Sequence, residues 1–146
     1  LLTYFGVRVS DLRVIGRQHV RKGYLVFDTI KTGVRCELEV DDEMAGILPN
    51  NGDHMTFLLS DHGEPFKSDK AMSKRVAEWF RQAGVDGVTA HSVRKWLAAK
   101  MAENGATEHE LMAWFGWRDP KEARPYVQAA NRKKMASSGR AKIAGV

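Results

Sequence analysis

Residues 89–95 read Thr89-Ala-His-Ser-Val-Arg-Lys95. Thr is a good N-cap, and no Pro or Gly follows until Gly105, so the stretch predicts a helix from Ala90 through Met101 to about Glu103. On that helix His91 and Arg94 stand at i and i+3 and share one face. A guanidinium presents a bidentate fork to a phosphate, and an imidazole beside it can donate or shuttle a proton. An isolated His-x-x-Arg is equally what an ordinary surface helix carries, so its meaning rests on its surroundings. No second His, Cys or carboxylate lies at ligand spacing beside His91, which argues against a metal site there.

Toward the C-terminus, Thr107-Glu-His-Glu110 is a capping-box pattern opening a helix that runs through Phe115. Gly116-Trp-Arg-Asp-Pro120 breaks it, Lys121–Pro125 reads as one turn, and Tyr126 opens or precedes a last helix. Toward the N-terminus, Ser68 caps a helix reaching Ala83, with Met72, Val76, Trp79 and Phe80 on one stripe and Gly84 as the stop. Tyr24–Ile30 is rich in β-formers, Val34–Val40 alternates apolar and polar side chains, and Lys31-Thr32-Gly33 joins them as a hairpin turn. Leu1–Phe5 reads as the end of a helix stopped by Gly6, and Ser10-Asp11 as the cap of a short one reaching about Ile15. Asp41-Asp42-Glu43 opens another short helix before Pro49, and Thr56–Leu59 reads as a brief strand. The expected fold is α+β: mainly α-helical, with a small antiparallel β-sheet near the N-terminus.

The chain has 146 residues, 43% of them hydrophobic, enough for one domain with a real core. No stretch approaches the ~20 apolar residues needed to span a bilayer, so no membrane partner is expected. The lone Cys36 cannot form an internal disulfide, which suits a reducing compartment. The net charge of +5 is unevenly placed. Residues 127–146 hold Arg132, Lys133, Lys134, Arg140 and Lys142 and no acid, whereas the other 18 basic residues are matched by all 18 acidic ones. A basic, acid-free C-terminal helix or tail suits a polyanion such as DNA, although a solvated helix end would look the same.

Five further features carry possible chemistry. Arg8 follows Gly6, and Asp11, three residues on, could orient Arg8 or a neighbouring cation. Lys31 sits at the hairpin tip, where an ammonium can reach over a DNA backbone and protonate a leaving alkoxide. Trp117 is either a core residue or a donor of its indole N–H to a phosphate oxygen. Tyr126 comes nine residues later. A nucleophilic Tyr needs nearby positive charge, because an ordinary pKa of about 10 leaves little phenolate at neutral pH. Neither a Gly-rich phosphate loop nor a carboxylate cluster for two-metal catalysis is evident, so no cofactor and no metal is expected.

Taken singly, each feature is outweighed by a structural explanation. Their order is not: Gly-x-Arg-x-x-Asp, a hairpin Lys, His-x-x-Arg, Gly-Trp and a downstream Tyr. In this order, and above all in Thr89–Arg94 and the Phe115-Gly-Trp117 to Tyr126 interval, the chain resembles the catalytic domain of the tyrosine recombinase (phage integrase) family. That resemblance implies the family's catalytic-domain fold and metal- and ATP-independent DNA cleavage and rejoining through a 3′-phosphotyrosyl intermediate. It implies Arg8 as the first active-site arginine, Asp11 as a supporting acid and Lys31 as general acid for the 5′-oxygen. His91 and Arg94 become the HxxR pair, Trp117 a packing and hydrogen-bonding residue where His is commoner, and Tyr126 the nucleophile. The implied partners are double-stranded DNA, contacted also by the basic residues of 127–146, and other copies of the chain on DNA, engaged through that tail. The implied setting is cytoplasmic: bacterial or phage-encoded, at the nucleoid.

Two related readings stay open. A type IB topoisomerase has similar chemistry but usually carries Lys where His91 stands. A DNA-binding relative without catalysis predicts that Tyr126→Phe changes nothing measurable. The chain opens at Leu1 inside an apolar run. The expectation is therefore a catalytic-domain fragment over 1–146, without the preceding helix and the N-terminal DNA-binding domain.

Overall fold

Apolar–polar alternation across residues 24–39 builds the sheet. In the computed structural model, which describes residues 1–144, strand β2 (Tyr24–Asp28) pairs antiparallel with β3 (Arg35–Glu39). The register sets Leu25 opposite Leu38 and Phe27 opposite Cys36. All four are buried, so one face of the hairpin is core and the other is wet. A two-residue strand β1 (Val20–Arg21), not expected from the sequence, pairs with β2 through a tight turn at Lys22 and Gly23, both at positive φ. β2 ends at Asp28 and β3 begins at Arg35, so the turn is longer than the three residues expected. Residues 56–59 form no strand; only Leu59 bridges Pro65.

Around the sheet the chain is helical: α1 (Leu2–Phe5), α2 (Val9–Leu12), α3 (Asp42–Ile47), α4 (Asp69–Gln82), α5 (Ala90–Glu103), α6 (Glu108–Phe115) and α7 (Pro120–Ile143). The caps anticipated for α4, α5 and α6 are formed: Ser68, Thr89 and Thr107 each accept from the third helical N–H. The cap expected at Ser10-Asp11 is not. α2 starts after Arg8, and Asp11 is buried in it with its carboxylate turned to another element. The break expected at Gly116–Pro120 separates α6 from α7, but the separate turn expected at Lys121–Pro125 is the start of α7 itself. Asp119 caps α7 by accepting from the Lys121 N–H at 2.9 Å, Pro120 takes the first helical position, and the helix runs through Pro125 and Tyr126 without interruption. Pro125 forfeits one hydrogen bond, to the Lys121 carbonyl, too little to stop a helix of 24 residues.

Two apolar clusters meet at Trp114. One gathers α1, α2, the sheet, α3 and α4 around Phe5, Leu12, Ile15, Leu25 and Met72. The other joins α5, α6 and α7 around Ala98, Ala102, Leu111, Phe115, Ala123 and Ala130. Small residues at the buried positions of α5 and α7 let those helices pack closely. No helix among the described residues is long and apolar enough to cross a membrane.

Candidate active site

Arg94 projects from α5 into the joint between the two clusters, and only 7% of it is exposed. Its guanidinium donates to the Gly6 carbonyl at 2.7 Å and to the Phe115 carbonyl at 2.6 Å, the open C-terminal ends of α1 and α6. Burial pulls its pKa down to about 10, with the Arg8 charge adding to the effect and Asp11 opposing it. Arg94 therefore stays charged at neutral pH, with two of its five N–H donors spent on the fold. Gly6 has φ +58°, and a Cβ there would lie 2.9 Å from the Phe115 ring and 3.0 Å from Leu97. Only glycine lets the α1–α2 turn come this close to Arg94.

An aromatic stack carries Arg94 toward α7. The guanidinium lies 4.8 Å from the Phe115 ring centre and 5.6 Å from that of Trp117. Phe115 stacks on Trp117 at 4.9 Å, and Trp117 on Tyr126 at 5.7 Å with planes 12° apart. Trp117 thus sets the plane and height of the Tyr126 ring. Burial raises the Tyr126 phenol above its ordinary value, and the Arg94 charge works against that rise without cancelling it.

The hairpin reaches the same place from the other side. Asp11 accepts from the Ile30 N–H at 2.8 Å, immediately before Lys31. Thr32 donates to the Gly116 carbonyl at 2.8 Å, immediately after it, and Thr29 and Thr32 share a hydroxyl contact. The backbone of Lys31 is therefore fixed on both sides while its side chain stays exposed. Asp11 lies near Arg8 and Arg94 and opposes their charge, but its direct hydrogen bond is to the hairpin.

Arg8, Lys31, His91, Arg94, Trp117 and Tyr126 come from five segments of the chain and line one cavity of about 410 Å³. Lys95 and Glu122 line it too, and neither was singled out in the sequence. Glu122 lies one turn before Tyr126 on α7, with its carboxylate 3.9 Å from the Arg8 Nη2. The Arg8 Nη1 is buried and has no hydrogen-bond partner. A buried, unpartnered donor of a cation costs free energy unless a ligand satisfies it. The cavity thus offers several cations and a phenol on a rigid stack, a set of groups suited to an anionic oxygen ligand. Arg132, Lys133, Lys134, Arg140 and Lys142 lie elsewhere, exposed along α7 rather than in a loose tail, with Lys133 3.6 Å from Glu103.

The phage integrase family model matches residues 1–133. The chain belongs to the phage integrase family, and its fold is that of a tyrosine recombinase catalytic domain. The fold is similar to the crystal structure of XerA recombinase: TM-score 0.74 and 18% identity, over 94% of this chain and 54% of that one. It is similar to a lambda integrase dimer bound to a COC′ core site, with TM-score 0.66 and 22% identity over 86% of this chain and 48% of that one. A post-cleavage complex of XerH with a palindromic difH substrate gives TM-score 0.69 at 11% identity, over 94% of this chain and 42% of that one. This chain therefore spans about half the length of these proteins. No curated protein matches its sequence.

Proposed function

We propose that the chain is the chemical half of a site-specific DNA recombinase or integrase, which cuts and rejoins DNA through a 3′-phosphotyrosyl intermediate. The convergence of Arg8, Lys31, His91, Arg94 and Tyr126 on one cavity carries this reading. A scissile phosphate seated there receives donors from the Arg8 guanidinium and those that Arg94 has left. The Tyr126 oxygen attacks phosphorus, the bond to the 5′-oxygen breaks, and Lys31 supplies that oxygen with a proton. His91, exposed at the cavity rim, is the group assigned to take up the phenol proton. The ester conserves the bond energy, so rejoining requires no ATP. None of these roles needs a metal or a cofactor.

The whole protein is proposed to carry an N-terminal DNA-binding domain that closes around the duplex, to act at the bacterial or phage nucleoid, and to self-associate on DNA through the end of α7. The basic, acid-free C-terminal part of α7 suits a phosphate backbone, so binding by residues 1–146 alone should be weak and fall steeply with salt. The exposed basic residues of α7 serve equally one second reading, a DNA-binding relative that does not cut.

The two readings separate in one experiment. Wild type and Tyr126→Phe are incubated in EDTA with a set of nicked duplexes that trap cleavage. A covalent protein–DNA adduct in wild type alone supports the recombinase. Its absence from both, with DNA binding intact, supports the binding module.

A further inference from the structure

Besides Tyr126, six charged or titratable side chains line the cavity: Arg8, Lys31, His91, Arg94, Lys95 and Glu122. Only Glu122 is an acid. A carboxylate weakens any anion site it faces, so its presence calls for a role other than binding the anion. Three observations define that role. Its oxygen stands 3.9 Å from the Arg8 Nη2, within ion-pair range but beyond a hydrogen bond. The other terminal nitrogen of Arg8 is buried without a partner. The Glu122 side chain is 44% exposed, although its backbone is held by the Asp119 cap and the fully buried Ala123 beside it. The carboxylate is thus free to swing on a fixed helix, and the guanidinium it faces has a buried nitrogen without a partner among the described residues.

We infer that Glu122 is the resident counter-ion of Arg8, a positioning residue that holds the guanidinium at the cavity wall and is displaced when a phosphate oxygen arrives. It offsets the repulsion between Arg8 and Arg94, two cations that the fold places near one another. An ion pair this long and this exposed is weak, which is what a displaceable contact requires. Phosphate then meets an Arg8 already aimed into the cavity and binds it more strongly, by direct hydrogen bonds. The consequence is selectivity. A lone surface anion gains little by displacing Glu122, whereas a phosphodiester positioned by the rest of the duplex can do so.

This inference rests on the cavity being a phosphate site, but not on Tyr126 being a nucleophile. The test is titration of the 146-residue chain with inorganic phosphate at constant ionic strength, followed by calorimetry. Glu122→Gln keeps the side-chain shape and sits on an exposed helix position, and circular dichroism checks that it folds. It should bind phosphate roughly two- to fivefold more tightly than wild type, the size of an exposed ion pair. In an Arg8→Ala background the same change should alter affinity by less than about 1.5-fold, because the partner is gone. Unchanged or weaker binding in Glu122→Gln overturns the inference. So does an equal gain without Arg8, which would make Glu122 a general field effect, and so does a failure of phosphate to saturate any variant. Tyr126→Phe should leave this pattern intact, so loss of DNA cleavage and loss of the Glu122 effect remain separate results.

Discussion

Arg94 and Arg8 are the same residue type on two walls of one cavity, and the fold treats them oppositely. Arg94 is roofed by Phe115 and Trp117 and gives two hydrogen bonds to carbonyls that end α1 and α6. Among the described residues Arg8 has a long ion pair to Glu122 and a buried nitrogen without a partner. The first arginine holds the architecture together whether or not a ligand is present. The second is complete only with one. The proposed chemistry therefore rests on a split between a cation that the fold consumes and a cation left to a ligand.

The largest effect expected from breaking this contrast is on the Arg94 side. Arg94→Ala leaves two buried carbonyls unpaired and should destabilise the chain by about 3 kcal/mol or more, lowering the melting temperature by roughly 10 °C. Arg94→Lys should recover little of this, since an ammonium cannot reach both carbonyls in one plane. A melting curve within 2 °C of wild type would show that the two carbonyls do not depend on Arg94. Arg8→Ala should do the reverse: stability changes by less than about 1 kcal/mol, whereas DNA cleavage falls by roughly a hundredfold or more. Equal losses of stability in the two variants would erase the distinction.

A smaller effect tests the hairpin that delivers Lys31. Gly116 has φ +61°, and a Cβ there would lie 2.6 Å from the Thr29 side chain. Gly116→Ala should therefore cost about 2 kcal/mol in urea unfolding and slow cleavage, by pushing the hairpin off α6. Smaller still is a pH effect at Asp11. Burial raises its folded-state pKa, with the Ile30 N–H, Arg8 and Arg94 opposing the rise. Protonated Asp11 thus stabilises the fold: the contribution is complete below the unfolded value near 3.9 and is lost as pH rises through the raised folded value. Asp11→Asn keeps an oxygen for the Ile30 N–H and removes that slope. Its stability relative to wild type should climb through the acid range and level off by neutral pH, and a flat difference would remove Asp11 from the account.

The local signals in the sequence translated well where local physics decides. Alternation at Leu25, Phe27, Cys36 and Leu38 became the sheet, and Thr89 and Thr107 capped their helices as their spacing implied. What the sequence concealed depends on contacts made far along the chain. Asp11 reads as a cap residue next to Ser10, but the Ile30 N–H, 19 residues on, claims its carboxylate. Lys121–Pro125 reads as one turn before a helix at Tyr126, but Asp119 and Pro120 start α7 so firmly that the hydrogen bond missing at Pro125 does not interrupt it. The candidate cationic residues were legible as a set because their order resembles a family. Glu122 was not, since a search for cations that hold phosphate passes over an acid among them. The structural duty of Arg94 also depends on the Gly6 and Phe115 carbonyls, which no side-chain pattern announces.

The central claim is that the phenol of Tyr126 becomes bonded to DNA. The sequence holds three tyrosines, Tyr4, Tyr24 and Tyr126, so the attachment point is decidable. The direct measurement is tandem mass spectrometry of the protease-digested adduct formed on a nicked trapping duplex in EDTA. A nucleotide remnant on the peptide containing Tyr126, absent from Tyr126→Phe, is the expected result. A remnant on Tyr4, Tyr24 or a non-tyrosine residue, or an adduct that survives Tyr126→Phe, would contradict it.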